Sequence, residues 1–222
     1  MTSIFEQAMG DAFADLHPML QRRFGVGLDS GQACVGTGVM TRIRTGPWWT
    51  APFLQLGRVR NVLVPDGGTD VPFTIENYPY RDPLGRETVT FVREFDVRGR
   101  SRRFDATMVA HEGRVVDYLG THQHLAVDLD LRTDGAGGLL LTSGAQRFYE
   151  GPVGFPFPLA LSGRARLHER YDEAADVFRI DLEVVNDRFG FLFGYAGTFT
   201  CTWVPADDAP ARLKPVRHER RV

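Results

Sequence analysis

At residue 33 the apolar pattern of this 222-residue chain changes period from 3.6 to 2, and it keeps the shorter period for most of the remaining length. Candidate strands run over 33–44, 58–64, 71–80, 86–97, 101–111, 114–120, 122–132, 138–150, 159–172, 176–186 and 192–204, divided by Gly, Pro, Asp and Asn clusters. Several links are short enough for hairpins: Asp-Pro-Leu-Gly at 82–85, residues 98–100, Glu112-Gly113, and 172–176. Strands joined so tightly lie antiparallel. A wide, twisted antiparallel sheet curls or closes, which removes its unpaired edges. The expected fold class is therefore mainly β: a strongly curved antiparallel sheet or closed β-barrel with one or two N-terminal helices. A two-sheet sandwich is the competing arrangement.

Before residue 33 the reading is helical. Ser3 and Glu6 have capping-box spacing, and Ile4, Phe5, Ala8, Met9, Ala12, Phe13 and Leu16 recur on one helical face, which predicts a helix over 4–16. Pro18 opens a second, short helix with Met19, Leu20 and Phe24 on its apolar side, ended by Gly25 and Gly27. The helices, about 3–24, would cap one barrel end or lie across an open side, and residues 1–204 are expected to form one domain. Residues 205–222 hold Pro205, Pro210, Pro215 and mixed charges without periodicity, so they read as a flexible C-terminal tail. Two Pro-rich aromatic segments stand out: 46–57, with Trp48, Trp49 and Phe53, is expected as a loop or a single helical turn, and 151–159, with Phe155 and Phe157, as a further candidate mouth or lid.

Charge narrows the partners. The net charge is −2, which gives no electrostatic footprint for nucleic acid or an anionic membrane, and no apolar run is long enough to insert in a bilayer. Cys34 and Cys201 form no CxxC pair, and the N-terminus lacks a signal-like basic and apolar run, so a soluble cytoplasmic protein is expected. Walker, Gly-x-Ser-x-Gly and strand-led Gly-x-Gly-x-x-Gly motifs are absent, and no cofactor is expected.

Within 88–97, one strand face collects Val89, Phe91, Arg93, Phe95 and Val97. A guanidinium in an apolar stripe requires a counter-charge, either a carboxylate of the fold or an anionic ligand. Other polar residues interrupt apolar faces in the same way: Asn77 after Val71, Phe73 and Ile75; Arg102 before Phe104, Ala106 and Met108; Arg147 in phase with Leu139 and Leu141; and Glu169 between Leu167 and Tyr171. An apolar lining with a few orienting polar groups is the character of a ligand-holding barrel. The candidate ligand-binding set is Arg93 as anchor, Asn77, Tyr149, Tyr171 and Glu169 as orienting groups, and Phe91, Phe95, Phe104 and Met108 as lining. The competing arrangement is an internal Arg93–Glu169 bridge.

The leading helix ending in Leu-His-Pro at 16–18, Gly-Thr-Gly-Val-Met-Thr-Arg at 36–42, Val-Arg-Glu-Phe at 92–95 and Arg-Arg-Phe at 102–104 carry a family resemblance. So do Gly-Phe-Pro-Phe-Pro-Leu at 154–159, Val-Phe-Arg-Ile-Asp-Leu-Glu-Val at 177–184 and Gly-Phe-Leu-Phe-Gly-Tyr-Ala-Gly at 190–197. Together they resemble domain-of-unknown-function family 4166 over most of residues 5–204. The resemblance implies a bacterial domain, found alone or behind short-chain-dehydrogenase-like and membrane segments, with no assigned activity and no catalytic residues to carry over. Association with dehydrogenase-like partners points toward small-molecule metabolism.

Three function classes follow. The first is a small-molecule-binding β-barrel, with isomerase or cyclase activity on an apolar substrate with a polar or carboxylate head as its catalytic form; His111, Tyr118, Glu150 and His168 are candidate acid–base groups. The second is a non-catalytic interaction module docking through 46–57 and 151–159. The third is a metal-dependent enzyme in which His122 and His124, alternate residues on one strand, share a metal with Asp128; the apolar face of Leu125, Val127, Leu129 and Leu131 instead places these groups in solvent.

Overall fold

The structure, a computed structural model, describes residues 2–47 and 67–222. The expected strand 58–64 and the aromatics Trp48, Trp49 and Phe53 lie outside the described residues. Helix α1 (Ile4–Met9) starts on Ser3, whose Oγ accepts the amide of Glu6 at 3.2 Å. It stops earlier than its apolar pattern predicts. Gly10 takes a left-handed φ of 56°, and the chain continues as a 3-10 turn over Gly10–Asp15. Helix α2 (Pro18–Phe24) has proline at its first position and is capped by His17, whose Nδ1 accepts the Met19 amide at 3.2 Å.

Among the described residues twelve strands follow: β1 (Gln32–Thr45), β2 (Gly68–Asn77), β3 (Pro79–Arg81), β4 (Glu87–Val97), β5 (Arg100–His111), β6 (Arg114–Leu119), β7 (Leu125–Thr133), β8 (Leu139–Glu150), β9 (Val153–Pro156), β10 (Arg164–Asp172), β11 (Val177–Asn186) and β12 (Gly190–Pro205). Ten close into an antiparallel barrel in the order β10-β11-β12-β1-β2-β4-β5-β6-β7-β8, and β8 pairs back onto β10 from Arg166↔Thr142 to Glu169↔Leu139. Short β3 and β9 flank β4 and β8. The tight hairpins have the backbone their residues favour: Arg98 and Gly99, with φ of 55° and 74°, join β4 to β5, and Glu112 and Gly113, with φ of 47° and 74°, join β5 to β6.

The β1–β12 ladder, from Gln32↔Pro205 to Thr45↔Phe193, brings the two backbones very close. A Cβ on Gly38 would stand 2.1 Å from the Thr198 carbonyl oxygen, and one on Gly197 would stand 2.2 Å from that of Val39.

The barrel interior is a continuous apolar core, and the N-terminal segment plugs one end. Ile4, Phe5, Phe13, Leu16, Leu20 and Phe24 are buried with the strand residues, and Phe5 meets Phe91 and Phe24 at centroid distances of 5.7 and 4.8 Å. Burying such side chains stabilises by about 1.5–3 kcal/mol each, which is why helices this short persist.

Two further details differ from the sequence pattern. His122 and Gln123 lie in a turn ahead of β7, not on it, with Gln123 at φ 52°, so His122 and His124 do not alternate along a strand. The other concerns residues 206–222, where a flexible tail is expected and the structure shows a strap laid across the outer barrel face. Ala209, Leu213 and Glu219 are buried. Arg212 grips Glu76 through two bonds of 2.6 and 2.7 Å, and the Tyr118 hydroxyl donates to the Arg221 carbonyl at 2.5 Å. The strap lacks periodicity because single residues hold it at irregular intervals, without a regular element.

Candidate functional site

The polar groups inside the barrel fall into two sets. The first lies under the helical plug. Arg23 descends from α2 beside Leu20 and Phe24, almost fully buried, and its Nε donates to Glu169 Oε1 at 2.5 Å. Its Nη1 reaches Asn77 Oδ1 at 2.5 Å and Cys34 Sγ at 3.6 Å, and the Asn77 amide donates onward to the Thr90 carbonyl at 3.3 Å. Phe199 and Phe24 flank the guanidinium at 5.0 and 5.2 Å. Burial opposes the charge on Arg23, but Glu169 and the two thiols outweigh it and hold the side chain firmly protonated. Cys201 and then Arg23 pull the Cys34 thiol below its usual range, against the effect of burial.

The second set lies deeper. Arg93 is buried on the inner face of β4, opposite Ile75 on β2 and Phe104 on β5. Its guanidinium stacks over Phe104 at 4.6 Å and approaches Phe91 at 5.8 Å, but Nε and Nη1, both sealed from solvent, have no hydrogen-bond partner. Asp117 faces the same interior from β6, between Met108 on β5 and Val127 on β7. Its Oδ1 is likewise buried without a donor. Burial pushes its carboxyl up to about 7, with Arg93 pulling the other way too weakly to prevent it. Tyr195 on β12 packs against Phe95 at 5.3 Å and Phe193 at 5.9 Å and buries an unpartnered hydroxyl. Burial raises that phenol above its usual range, opposed by Arg93. Gln146 donates to the Gly163 carbonyl at 2.8 Å while its own Oε1 is buried without a partner.

Residues expected on the interior divide accordingly. Arg93, Phe91, Phe95, Phe104 and Met108 sit together in the core, and Asn77 and Glu169 are inside but committed to Arg23. The expected Arg93–Glu169 bridge does not form, because Arg23 takes Glu169 first. Tyr171 stands at the plug rim, its ring stacked on His17 at 4.9 Å and its hydroxyl bonded to Asp176. Tyr149 and Arg147 are turned outward by a bulge: β8 spends Ser143 to Gln146 where β7 spends only Leu129 to Val127, which reverses the facing of every residue beyond. Arg147 then pairs with Asp128 at 3.1 and 2.5 Å, and Tyr149 joins Val109, Val116 and Tyr118 in an outer cluster.

The candidate acid–base groups are scattered outside. His111 approaches Glu112 at 3.8 Å, and His168 holds Asp134 at 2.8 Å. Tyr118 bonds the strap, and Glu150 pairs with His124 at 3.0 Å. His124 is buried rather than solvated, because the strap's Arg217 covers it at 2.9 Å from Nδ1. Among the described residues, no three His, Cys, Asp or Glu side chains converge as a metal-ligating group.

A family model described as "Domain of unknown function (DUF4166)" matches residues 16–199. The chain belongs to the DUF4166 family. A relative, the uncharacterized protein YndH of Bacillus subtilis (strain 168), is 33% identical over 201 residues, covering 90% of this chain and 97% of its own. Among the described residues of this DUF4166 chain, no helix is long and apolar enough to cross a membrane.

Sequence reasoning missed Arg23, Asp117, Tyr195 and Gln146. Arg23 had a signal, since it stands on α2's apolar side with Leu20 and Phe24. Asp117 carried the same signal as Arg93, since it interrupts the apolar face of Val115 and Leu119, but Val116 and Tyr118 make the opposite face of β6 read as buried too and leave its facing open.

Proposed function

We propose that this barrel binds a small apolar molecule with an anionic head, and that Arg93 holds the head. One observation carries the reading: a permanently charged side chain is buried mid-barrel with two donors unsatisfied, and no acidic partner among the described residues forms an ion pair with it. The carboxylate best suited by sequence to neutralise it, Glu169, is already used by Arg23. Phe91, Phe104 and Phe95 supply apolar walls, and Asp117, Tyr195 and Gln146 supply polar groups to orient the ligand. In a catalytic form, Asp117 moves a proton in an isomerisation or cyclisation, since its carboxyl titrates near neutrality.

Native mass spectrometry of protein purified from its own host tests the reading. A small-molecule adduct is expected on the wild type and lost from Arg93→Gln with the fold unchanged by circular dichroism. Wild-type protein without an adduct, or an adduct retained by the variant, overturns it.

A further inference from the structure

We infer that Asp117 works as a neutral acid in the same barrel interior as Arg93, so that the barrel takes up an anionic head group together with a proton. The inference rests on the binding role proposed for Arg93 and adds a rule for when the site is competent.

The surroundings of Asp117 support it. The neighbours on β5 and β7 are Met108 and Val127, and its own strand contributes Val115 and Leu119 on the same face. Helix α1, which packs over β6, brings apolar Ile4 and Phe5 to the shared core. The charged group acting on Asp117 is Arg93 on β4, which also acts on the Tyr195 hydroxyl across the barrel; Arg23 and Glu169 reach Tyr195. Asp117 forms no ion pair within 4 Å among the described residues, and its Oδ1 has no donor at all. An ionised carboxylate in that position leaves Oδ1 with neither solvent nor a hydrogen bond, whereas the neutral acid is a donor available to a ligand oxygen.

The carboxyl titrates at about 7, so both forms are present near neutrality. An anion on Arg93 cancels the one attraction that favours the ionised form and adds like-charge repulsion. Anion and proton therefore bind with positive coupling, and each strengthens the other. Below the Asp117 transition the affinity for an anion is flat, and above it the affinity falls about tenfold per pH unit. A carboxylate with an apolar body suits this pair, one oxygen on the guanidinium and one accepting from the acid.

Decanoate, titrated by calorimetry between about pH 6 and about pH 9, is the probe. Wild-type protein is expected to bind with proton uptake and to lose affinity above neutrality, while Asp117→Asn, which cannot ionise, binds with no slope. Equal wild-type affinity across the range, or a slope retained by Asp117→Asn, overturns the proton coupling alone. Wild type that does not bind decanoate at any pH, or Arg93→Gln that binds as wild type does, overturns the parent reading. Should Asp117→Asn not fold, carbon-13 titration of the wild-type Asp117 carboxyl decides: decanoate is expected to move its midpoint upward, and an unmoved midpoint overturns the coupling.

Discussion

Arg23 and Glu169 meet inside the barrel at 2.5 Å, Nε to Oε1, joining helix α2 to strand β10 through a fully desolvated charge pair. Breaking such a pair from one side strands the other charge, at a cost of about 3–5 kcal/mol. Arg23→Met and Glu169→Leu are each expected to lower unfolding free energy by that order in urea, and the double variant to recover most of the loss. Single variants within about 1 kcal/mol of wild type would show that the pair does not fasten the plug.

Asp117 makes stability fall with rising pH. Its folded carboxyl titrates at about 7, against an ordinary value of 3.8, so between those limits the native state holds a proton the unfolded chain has released. This contribution is present below about pH 4 and lost as pH approaches 7, on the order of a few kcal/mol. Asp117→Asn removes the titration. The stability difference between variant and wild type should therefore shift in the variant's favour across that interval, measured by denaturant unfolding at matched pH values. A difference that stays constant would sink the assignment.

Glu219 works in the opposite sense. Arg221 and Arg217 hold its carboxyl down at about 2, below its ordinary 4.5, with burial opposing them. Its stabilisation is complete above about pH 4.5 and lost as pH falls toward 2. Glu219→Gln is expected to cost about 1–3 kcal/mol at neutral pH and to release the strap, read as faster amide exchange at Val216 and Arg221. Unchanged exchange there would mean that the apolar contacts of Ala209 and Leu213 suffice.

Gly38→Ala should be poorly tolerated, because its methyl would stand 2.5 Å from the Phe199 Cα as well as against the Thr198 carbonyl. A loss of about 1–3 kcal/mol or more is expected by thermal unfolding. Gly144→Ala, whose methyl meets nothing nearer than 3.5 Å, is the control and should be near neutral.

The barrel was legible because strand period and hairpin residues agree with each other along the chain; Arg98-Gly99 and Glu112-Gly113 turn where the pattern says they must. What escaped was set by single insertions and distant competition. The bulge at Ser143–Gln146, marked in the residue pattern only by Gly144, moved Arg147 and Tyr149 outward and put Gln146 inside in their place. Glu169 was expected to answer Arg93, but the choice of its partner depends on how α2 docks, a relationship between elements some 146 residues apart. The burial of Arg93 itself was visible in one strand.

The pairing of β1 with β12 also bears on biosynthesis. Thr41, whose Oγ1 donates to the Ala196 carbonyl across that ladder, is separated from it by 155 residues, so β1 leaves the ribosome long before its partner exists. During that interval its edge on the β12 side stays open, and only the β2 side can zip. The nascent barrel is consequently an unclosed sheet until the last strand is made, and chaperone dependence should concentrate in that late window of translation.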